Sequence, residues 1–160
     1  MAPPPPPPPP PWVPLHAASV GAYMDSQENA LRHDLHGVRI ARIADELIVI
    51  LPADKLFEDD ALSDDGRATL EKIANILQRY AHSSIAVTGH TDTFGKPDAN
   101  LLRSRHWAAL AGDLLKQDGV APARLQVQGL GDAHLRIATP ANVSEPRNRR
   151  IEIRIVPVPG

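Results

Sequence analysis

The sequence predicts an α/β (α+β) two-layer sandwich in which helices pack on one mixed sheet. Two observations support this fold class. Hydrophobic residues alternate with a period of two in some segments, as in strands, and recur at i, i+3, i+4 and i+7 in others, as in helices. These segments follow one another as helix, two strands, helix, strand, helix, strand, loop and strand. With 160 residues, of which 42% are hydrophobic, the chain can enclose one core.

Composition and charge exclude several classes of protein. The net charge is −2 and the pI is near 6.4, so the chain lacks the broad cationic surface that binds nucleic acid phosphates. No cysteine is present, which excludes disulfides and thiolate metal sites. No apolar run approaches the roughly 20 residues of a membrane-spanning helix, and the first residues lack a signal-peptide pattern. We expect no nucleic-acid partner and no cofactor.

The N-terminal segment, residues 1 to 16, contains nine consecutive prolines at positions 3 to 11. Proline fixes φ and removes an amide donor, so this segment should form an extended polyproline II rod. Nine such residues span about 28 Å. We predict a proline-rich stalk, and the alternative is a ligand for an aromatic-lined domain that binds polyproline.

Residues 17 to 37 form the predicted lead-in helix, which Gly37 can end. Its apolar residues recur at spacings close to multiples of 3.6, and these are Val20, Met24, Leu31 and Leu35. The segment 38 to 51 is rich in Ile, Leu and Val. It predicts two strands joined by a turn near residues 44 to 46.

The remaining elements begin with a helix over residues 64 to 80, for which Ser63 suits the N-cap position. The acid-rich segment 58 to 65 before it is expected to be a solvated loop. A strand, a polar loop, a helix and two strands then follow at 84 to 89, 90 to 100, 101 to 116, 124 to 128 and 150 to 156. By the right-handed crossover rule, the strand at 84 to 89 runs parallel to the strand before helix 64 to 80, if these two strands are neighbours.

Five separated blocks of sequence carry the most specific information. They are the stretch 87 to 95 with Gly-His-Thr-Asp at 89 to 92, then Asn100, Gly119-Val120 with Arg124-Leu125, Gly129-Leu130-Gly131, and Asn148-Arg149-Arg150-Ile151-Glu152-Ile153. In order and spacing, they resemble the signature of the OmpA-like C-terminal (peptidoglycan-binding) domain family. The resemblance covers about residues 38 to 156, and we predict a domain over 38 to 157.

The resemblance implies the βαβαβ-β element order of that family and a non-catalytic, peptidoglycan-binding module of a bacterial envelope protein. The family recognises the diaminopimelate of the stem peptide, a zwitterion with an ammonium and a carboxylate at its side-chain end. The implied location is periplasmic, associated with the cell wall or the outer membrane, and other envelope proteins are the further partners. Related lipoproteins carry a lipidated cysteine, and since this sequence has none, we expect no lipid anchor of its own.

The resemblance also implies two charged ligand residues. The family places a carboxylate in its Thr-Asp pair and a guanidinium in the following helix. Together they bind the ammonium and the carboxylate of the ligand by charge-assisted hydrogen bonds. Asp92 matches the carboxylate, with Thr91 beside it, and the alternative for Asp92 is an Asx cap on loop amides. Trp107 occupies the position of the arginine. Arg103 lies four residues earlier on the same helix face and is the better substitute.

Asn100 and Arg149 complete the implied site. Asn100 either fixes the loop or contacts the ligand backbone, and the alternative is a helix N-cap. Arg149 either contacts the ligand or serves the structure through ion pairs. His90, Asp92 and His106 could suggest a metal site, but such a site needs at least three convergent ligands. We expect these side chains to serve hydrogen bonding and predict no metal.

Two hypotheses for function follow. The first is a wall-binding module on a proline stalk. The second is a degenerate OmpA-like scaffold that has lost wall binding and acts as a protein-protein assembly domain, with Trp107 as an aromatic anchor. An indole that closes the pocket favours the scaffold, whereas an indole that turns aside while Arg103 enters favours wall binding. Catalysis is not expected, because the sequence has neither a GxSxG turn nor an HExxH motif.

Overall fold

The computed structural model describes residues 17 to 158, which contain four α-helices and seven strands. In chain order they are α1 (Ala17–Asp34), β1 (Arg39–Ile43), β2 (Glu46–Pro52), α2 (Ala53–Leu56), β3 (Phe57–Glu58), β4 (Ala61–Leu62), α3 (Asp64–Arg79), β5 (Ser83–His90), α4 (Pro97–Gln117), β6 (Leu125–Gly129) and β7 (Arg150–Pro157). Single 3₁₀ turns, Pro122–Arg124 and Pro146–Asn148, precede β6 and β7. The predicted stalk, residues 1 to 16, lies outside the described residues.

Five strands form one mixed sheet in the order β1-β2-β7-β5-β6. Only β5 and β6 run parallel, and the other neighbouring strands are antiparallel. The predicted fold class is therefore confirmed. The crossover prediction assumed that the strand at 84 to 89 lies next to the strand before helix 64 to 80. These strands are β5 and β2, and they are not neighbours because β7 lies between them. Since β7 is antiparallel to both, β2 and β5 still run in the same direction.

Helices α1, α3 and α4 form the second layer of the sandwich. The core between the layers is aliphatic, and its fully buried members include Leu31, Leu47, Leu51, Leu70, Ile73, Leu77, Ile85, Leu115, Ile151, Ile153 and Ile155. The lead-in helix belongs to this core, since the ring of Tyr23 packs edge-on against Tyr80 with centroids 5.4 Å apart. None of the helices within residues 17 to 158 combines the length and apolar character needed to cross a membrane.

Local signals in the sequence explain several boundaries. The side chain of Ser63 accepts a hydrogen bond from the amide of Gly66 at 2.9 Å, so it is the N-cap of α3 as predicted. The turn near residues 44 to 46 joins β1 and β2 as predicted, with Ala44 at φ 52°. Gly37 follows α1 with φ 72°, a conformation that glycine adopts at little cost.

Two predictions about loops are wrong. The second long helix begins at Pro97, not at Leu101, because Pro97 occupies the first helical position, where a missing amide costs nothing. Asn100 therefore lies inside the first turn of α4 and is not the N-cap, a position that Lys96 occupies. The acid-rich segment is not a plain loop, since β3 and β4 form a short hairpin whose turn residues, Asp59 and Asp60, have φ of 52° and 61°.

A pair of glycines sets the position of α4 on the sheet. Gly89 of β5 and Gly129 of β6 are register partners. A β-carbon at Gly89 would overlap the backbone oxygen of Ser104, and one at Gly129 would overlap the backbone nitrogen of Arg105. Their lack of side chains lets the helix backbone lie directly on the ends of these strands. The helix face that carries Arg103 and Trp107 is thereby brought beside the end of β5.

Candidate functional site

Asp92 lies just after β5 and is 2% exposed. Its Oδ1 accepts a hydrogen bond from the amide of Phe94 at 3.1 Å, which is the Asx arrangement considered as the alternative. Its Oδ2 accepts from the amide of Glu145 at 3.0 Å and from Nη1 of Arg149 at 2.6 Å. Because an ionised carboxylate offers about four acceptor positions, the carboxylate retains capacity on Oδ1.

Arg149 joins three parts of the chain at the entrance to β7. Its Nε and Nη2 donate to the two carboxylate oxygens of Asp54 at 2.9 and 2.7 Å, in a bidentate pair. Its Nη1 donates to Asp92 and also to Oγ of Ser144 at 3.0 Å. The hydrogen bond from Arg149 lowers the pKa of Asp54, and the same bond raises the pKa of Arg149. All three guanidinium nitrogens therefore have partners. Arg149 thus has the structural role through ion pairs that was one of its two alternatives.

Trp107 lies on the inner face of α4 and is 5% exposed. Its ring stacks on Phe57 of β3, with centroids 5.4 Å apart and an interplanar angle of 10°. Its indole Nε1 donates to Oδ1 of Asp60 at 3.1 Å. The guanidinium of Arg103 lies 5.9 Å from the centre of the Trp107 ring, and its Nε is 4.0 Å from Oδ1 of Asp60. Helix α4 thus holds the turn of the β3–β4 hairpin.

These groups line one cavity of about 320 Å³. Its walls are formed by Ala53, Asp54, Phe57, Asp59, Asp60, Asp92, Phe94, Arg103, Trp107 and Arg149. Three of the predicted site residues, Asp92, Arg103 and Arg149, therefore meet at one place. Trp107 forms part of the wall and leaves the cavity open, and Arg103 reaches the same cavity.

Thr91 and Asn100, the other two predicted site residues, do not line this cavity. Thr91 is 1% exposed, and its hydroxyl donates to the carbonyl of Asp92 at 2.9 Å. The amide nitrogen of the Asn100 side chain donates to the carbonyls of Asp92 at 3.2 Å and Phe94 at 3.0 Å. Both side chains fix the loop that presents Asp92, which agrees with the loop-fixing alternative considered for Asn100.

Sequence reasoning missed Asp54, Phe57, Asp59, Asp60 and Phe94. The acid-rich run that contains Asp59 and Asp60 was visible, but its hairpin turn was not recognised. Phe94 stands two residues after Asp92, within the most specific block, and this residue is 56% exposed beside the cavity. For Asp54 the sequence offers no signal, because its partners are distant along the chain.

The three side chains considered for a metal do not converge. His90 lies with Nε2 3.5 Å from Oε2 of Glu152, and burial lowers its pKa to about 4, with nearby Arg150 as the next cause. The ring of His106 instead contacts the carbonyl of Asp60 at 2.8 Å. Across residues 17 to 158, no group of three or more His, Asp or Glu side chains is placed to hold a metal ion.

Comparison with known proteins identifies the family that the sequence motifs resemble. A model of the OmpA family matches residues 56 to 149. The probable lipoprotein YiaD of Escherichia coli is 33% identical over 143 residues, which cover 87% of this chain and 65% of that protein. The peptidoglycan-associated lipoprotein of Brucella melitensis is 32% identical over 100 residues, which cover 61% of this chain and 60% of that protein.

A solved structure is also similar. The periplasmic domain of Helicobacter pylori MotB matches with a TM-score of 0.65 and 26% identity, over 76% of this chain and 83% of that domain. The matched region spans less than two thirds of the length of the two lipoproteins.

Proposed function

This chain belongs to the OmpA family, and from that premise we propose that it is a non-catalytic peptidoglycan-binding module of a bacterial envelope protein. The observation that carries the proposal is the convergence of Asp92, Arg103 and Arg149 on one cavity. The relative from Brucella melitensis is named as peptidoglycan-associated, and the similar MotB domain is periplasmic. We assign this chain to the periplasm, associated with the cell wall or the outer membrane.

The proposed ligand is the peptide stem, and the ligand residue that the family resemblance implies is diaminopimelate. Asp92 would accept the ammonium on the remaining capacity of Oδ1. Arg103, whose side chain is 45% exposed, would be the guanidinium nearest to an incoming carboxylate. Charge-assisted hydrogen bonds are shorter and stronger than neutral ones, so two small groups can select a zwitterion. Arg149 would hold Asp92 in place.

The absence of catalysis is part of the proposal. The residues that line the cavity include no serine, cysteine or histidine that could act as a nucleophile or a general base. The carboxylates of Asp54 and Asp92 are held by Arg149. This arrangement suits a binding site in which charges recognise a ligand and no bond is broken.

The proposed organisation of the chain has three parts. Residues 1 to 16 would serve as a proline-rich stalk, residues 17 to 37 as a lead-in helix, and residues 38 to 157 as the binding domain. A stalk of extended prolines would hold the domain away from its attachment point by about 28 Å. Envelope proteins are the partners that such a tethered domain would meet.

A second candidate is the assembly scaffold without wall binding. The observation that favours it is the single N–H of Trp107, which already donates to Asp60. The family resemblance implies a ligand arginine at this position. In this case the aromatic wall of Trp107 and Phe57, with exposed Phe94 beside it, would receive a protein partner.

Co-sedimentation with purified sacculi tests the proposal. Wild-type protein should pellet with sacculi in a saturable manner, and soluble fragments of the stem peptide should displace it. Circular dichroism and a cooperative thermal transition confirm that the protein used is folded. Folded protein that stays in the supernatant at every sacculus concentration would overturn wall binding and leave the scaffold as the function.

A further inference from the structure

We infer that the chain has a second ligand cavity, on the face of the sheet opposite to α1, α3 and α4, and that this cavity takes the terminal D-alanine of a stem peptide. The methyl group of that residue would lie in the cavity. Its carboxylate would lie at the rim, between the guanidiniums of Arg136 and Arg147. This inference rests on the proposed function, because it assigns a second part of the same kind of ligand to residues outside the first cavity.

The second cavity lies at the end of the sheet, where β2 finishes and β7 begins. Pro52 and Arg150 are register partners at this end. Their neighbours Leu51 and Ile151 are buried in the core. Since successive side chains of a strand point to opposite faces, Pro52 and Arg150 lie on the outer face of the sheet. The cavity has a volume of about 200 Å³ and is lined by Ile50, Pro52, Arg136, Pro146, Arg147, Arg149 and Arg150.

The inner surface of this cavity is mainly apolar. Ile50, Pro52 and Pro146 contribute hydrocarbon side chains, and the arginines contribute the methylene groups of their stems. A small alkyl group that enters the cavity leaves water, which favours binding. An anion without such a group, for example inorganic phosphate, gains nothing from this surface.

Arg136 supplies an available cation at the rim. It is exposed, and its side chain makes no hydrogen bond and no ion pair within residues 17 to 158. The position of its backbone is set by Asn148, which is fully buried. Oδ1 of Asn148 accepts hydrogen bonds from the amides of Arg136 and Ile137, both at 2.8 Å. The loop therefore holds a guanidinium beside the cavity whose donors are open to a ligand.

The other three arginines differ in what they can still donate. Arg147 uses Nε and Nη2 on Glu145, and its Nη1 makes no hydrogen bond in the described part of the chain. All three guanidinium nitrogens of Arg149 are engaged, and so are those of Arg150. A carboxylate at the rim would therefore be bound by Arg136 and by Nη1 of Arg147, and no existing ion pair would have to break.

The charges of Arg136 and Arg150 repel each other. Burial lowers the pKa of Arg150, Glu152 opposes this shift, and the charge of Arg136 adds to it. No acidic residue is among those that line the cavity. An anion at the rim would offset the repulsion, and the fork of a guanidinium matches the geometry of a carboxylate. The site thus favours a carboxylate that is attached to a small apolar group.

Arg149 connects this cavity with the proposed wall-binding cavity, because it lines both. A carboxylate next to a methyl group is the chemistry of a terminal alanine, and a stem peptide whose end is not cross-linked terminates in D-alanine. The second cavity is large enough for one such residue. Its position beside the first cavity favours a stem peptide as the source of the carboxylate.

NMR titration of isotope-labelled protein with N-acetyl-D-alanine tests the inference. This probe has the carboxylate and the methyl group but lacks the ammonium that Asp92 would accept, so it does not report on the first cavity. We expect it to shift the Nε–H signals of Arg136 and Arg147 in a saturable manner. The neutral N-acetyl-D-alaninamide should bind at least about tenfold more weakly, because it has no charge for the guanidiniums. Equal affinity of the two probes, or no shift at these arginines, would overturn the inference.

A matched pair of variants tests the role of Arg136. Arg136→Gln removes the open guanidinium and should weaken binding of N-acetyl-D-alanine by about tenfold. Arg67→Gln makes the same change at an exposed position of α3 that lines neither cavity, and it should leave binding unaltered. Circular dichroism checks that both variants are folded. Unchanged affinity in Arg136→Gln would contradict the assignment.

Stem-peptide fragments test the source of the carboxylate. A fragment with a free terminal D-alanine should shift the signals of Arg136 and Arg147, and the same fragment amidated at that carboxylate should not. Identical shifts with both fragments would overturn the stem-peptide terminus as the occupant.

Sacculus co-sedimentation of the wild type separates this inference from the proposed function. If the protein pellets with sacculi but N-acetyl-D-alanine does not shift the two arginines, the inference fails and wall binding stands. If the protein binds N-acetyl-D-alanine at the two arginines but never pellets with sacculi, the proposed function fails, and a stem peptide is excluded as the occupant of the second cavity.

Discussion

Arg149 and Asp92 form an ion pair in which Nη1 lies 2.6 Å from Oδ2, although 57 residues separate them along the chain. The two residues stand at neighbouring ends of β7 and β5, whose terminal residues Arg150 and His90 are register partners. The pair therefore ties the loop after β5 to the entrance of β7. A carboxylate held in this way is oriented before any ligand arrives, so binding does not have to order it.

Replacement of this carboxylate should affect both binding and stability. Asp92→Asn keeps the shape but leaves the partly buried guanidinium of Arg149 with one ionised partner fewer, which should cost about 1 to 3 kcal/mol of unfolding free energy. Sacculus co-sedimentation should fall by about tenfold or more, because the ammonium acceptor is neutral. Urea unfolding and co-sedimentation measure the two effects, with exposed Asp113→Asn as the control. Full sacculus binding by Asp92→Asn would refute the assignment.

Trp107→Arg should restore the missing guanidinium of the family. We expect the variant to bind a zwitterionic stem-peptide fragment about tenfold more tightly than wild type, in line with one regained charge-assisted pair. It should also unfold at lower temperature, because the stack on Phe57 is lost.

Calorimetry of wild type and Trp107→Arg with the same fragment checks this expectation. Tight wild-type binding that is lost in Arg103→Ala would show instead that the guanidinium has moved one turn along α4. Absence of binding by both proteins would favour the assembly scaffold.

The buried imidazole of His90 should make stability depend on pH. Burial, and next the charge of Arg150, lower its pKa from 6.5 to about 4, while Glu152 opposes this shift and His134 adds to it. Below pH 6.5 His90 binds a proton in the unfolded chain, whereas in the folded chain it binds one only below about pH 4. The free energy of unfolding should therefore fall as the pH falls through this window, by about 1 to 2 kcal/mol between pH 6.5 and 5.

Urea unfolding of wild type and His90→Asn at pH 6.5 and pH 5 measures this contribution. Asparagine does not titrate, so the variant should lose less stability than wild type between the two values. Equal losses in the two proteins would show that His90 is not the group responsible.

Gln27 on α1 should be a site where stability can be raised. Its side chain is fully buried, and neither its amide nitrogen nor its amide oxygen has a hydrogen-bond partner in the described part of the chain. Gln27→Met has a similar shape without the polar atoms and should raise the free energy of unfolding by about 1 to 3 kcal/mol. Gln117→Met, at the exposed end of α4, is the control and should change it little. A less stable Gln27→Met would contradict this reading of the core.

The sequence alone determined the three long helices, the five strands of the main sheet and the family. These depend on patterns that are local in the chain, such as the N-cap at Ser63 before an apolar repeat of 3.6. It also determined that Asp92 follows a strand, and the family resemblance predicts that Trp107 stands in place of an arginine. The start of α4 was missed because Pro97, a helix-start signal, lies within a segment that reads as a polar loop.

Only the tertiary structure decided which groups surround the candidate ligand. The contact between Arg149 and Asp54 joins residues 95 positions apart, and the bond between Trp107 and Asp60 joins residues 47 apart. No local pattern predicts such pairs, because they depend on how β7 and α4 pack beside the β3–β4 hairpin. The charges that meet at the cavity follow from that packing, since Coulomb energies are set by distances in space and not by spacing along the chain.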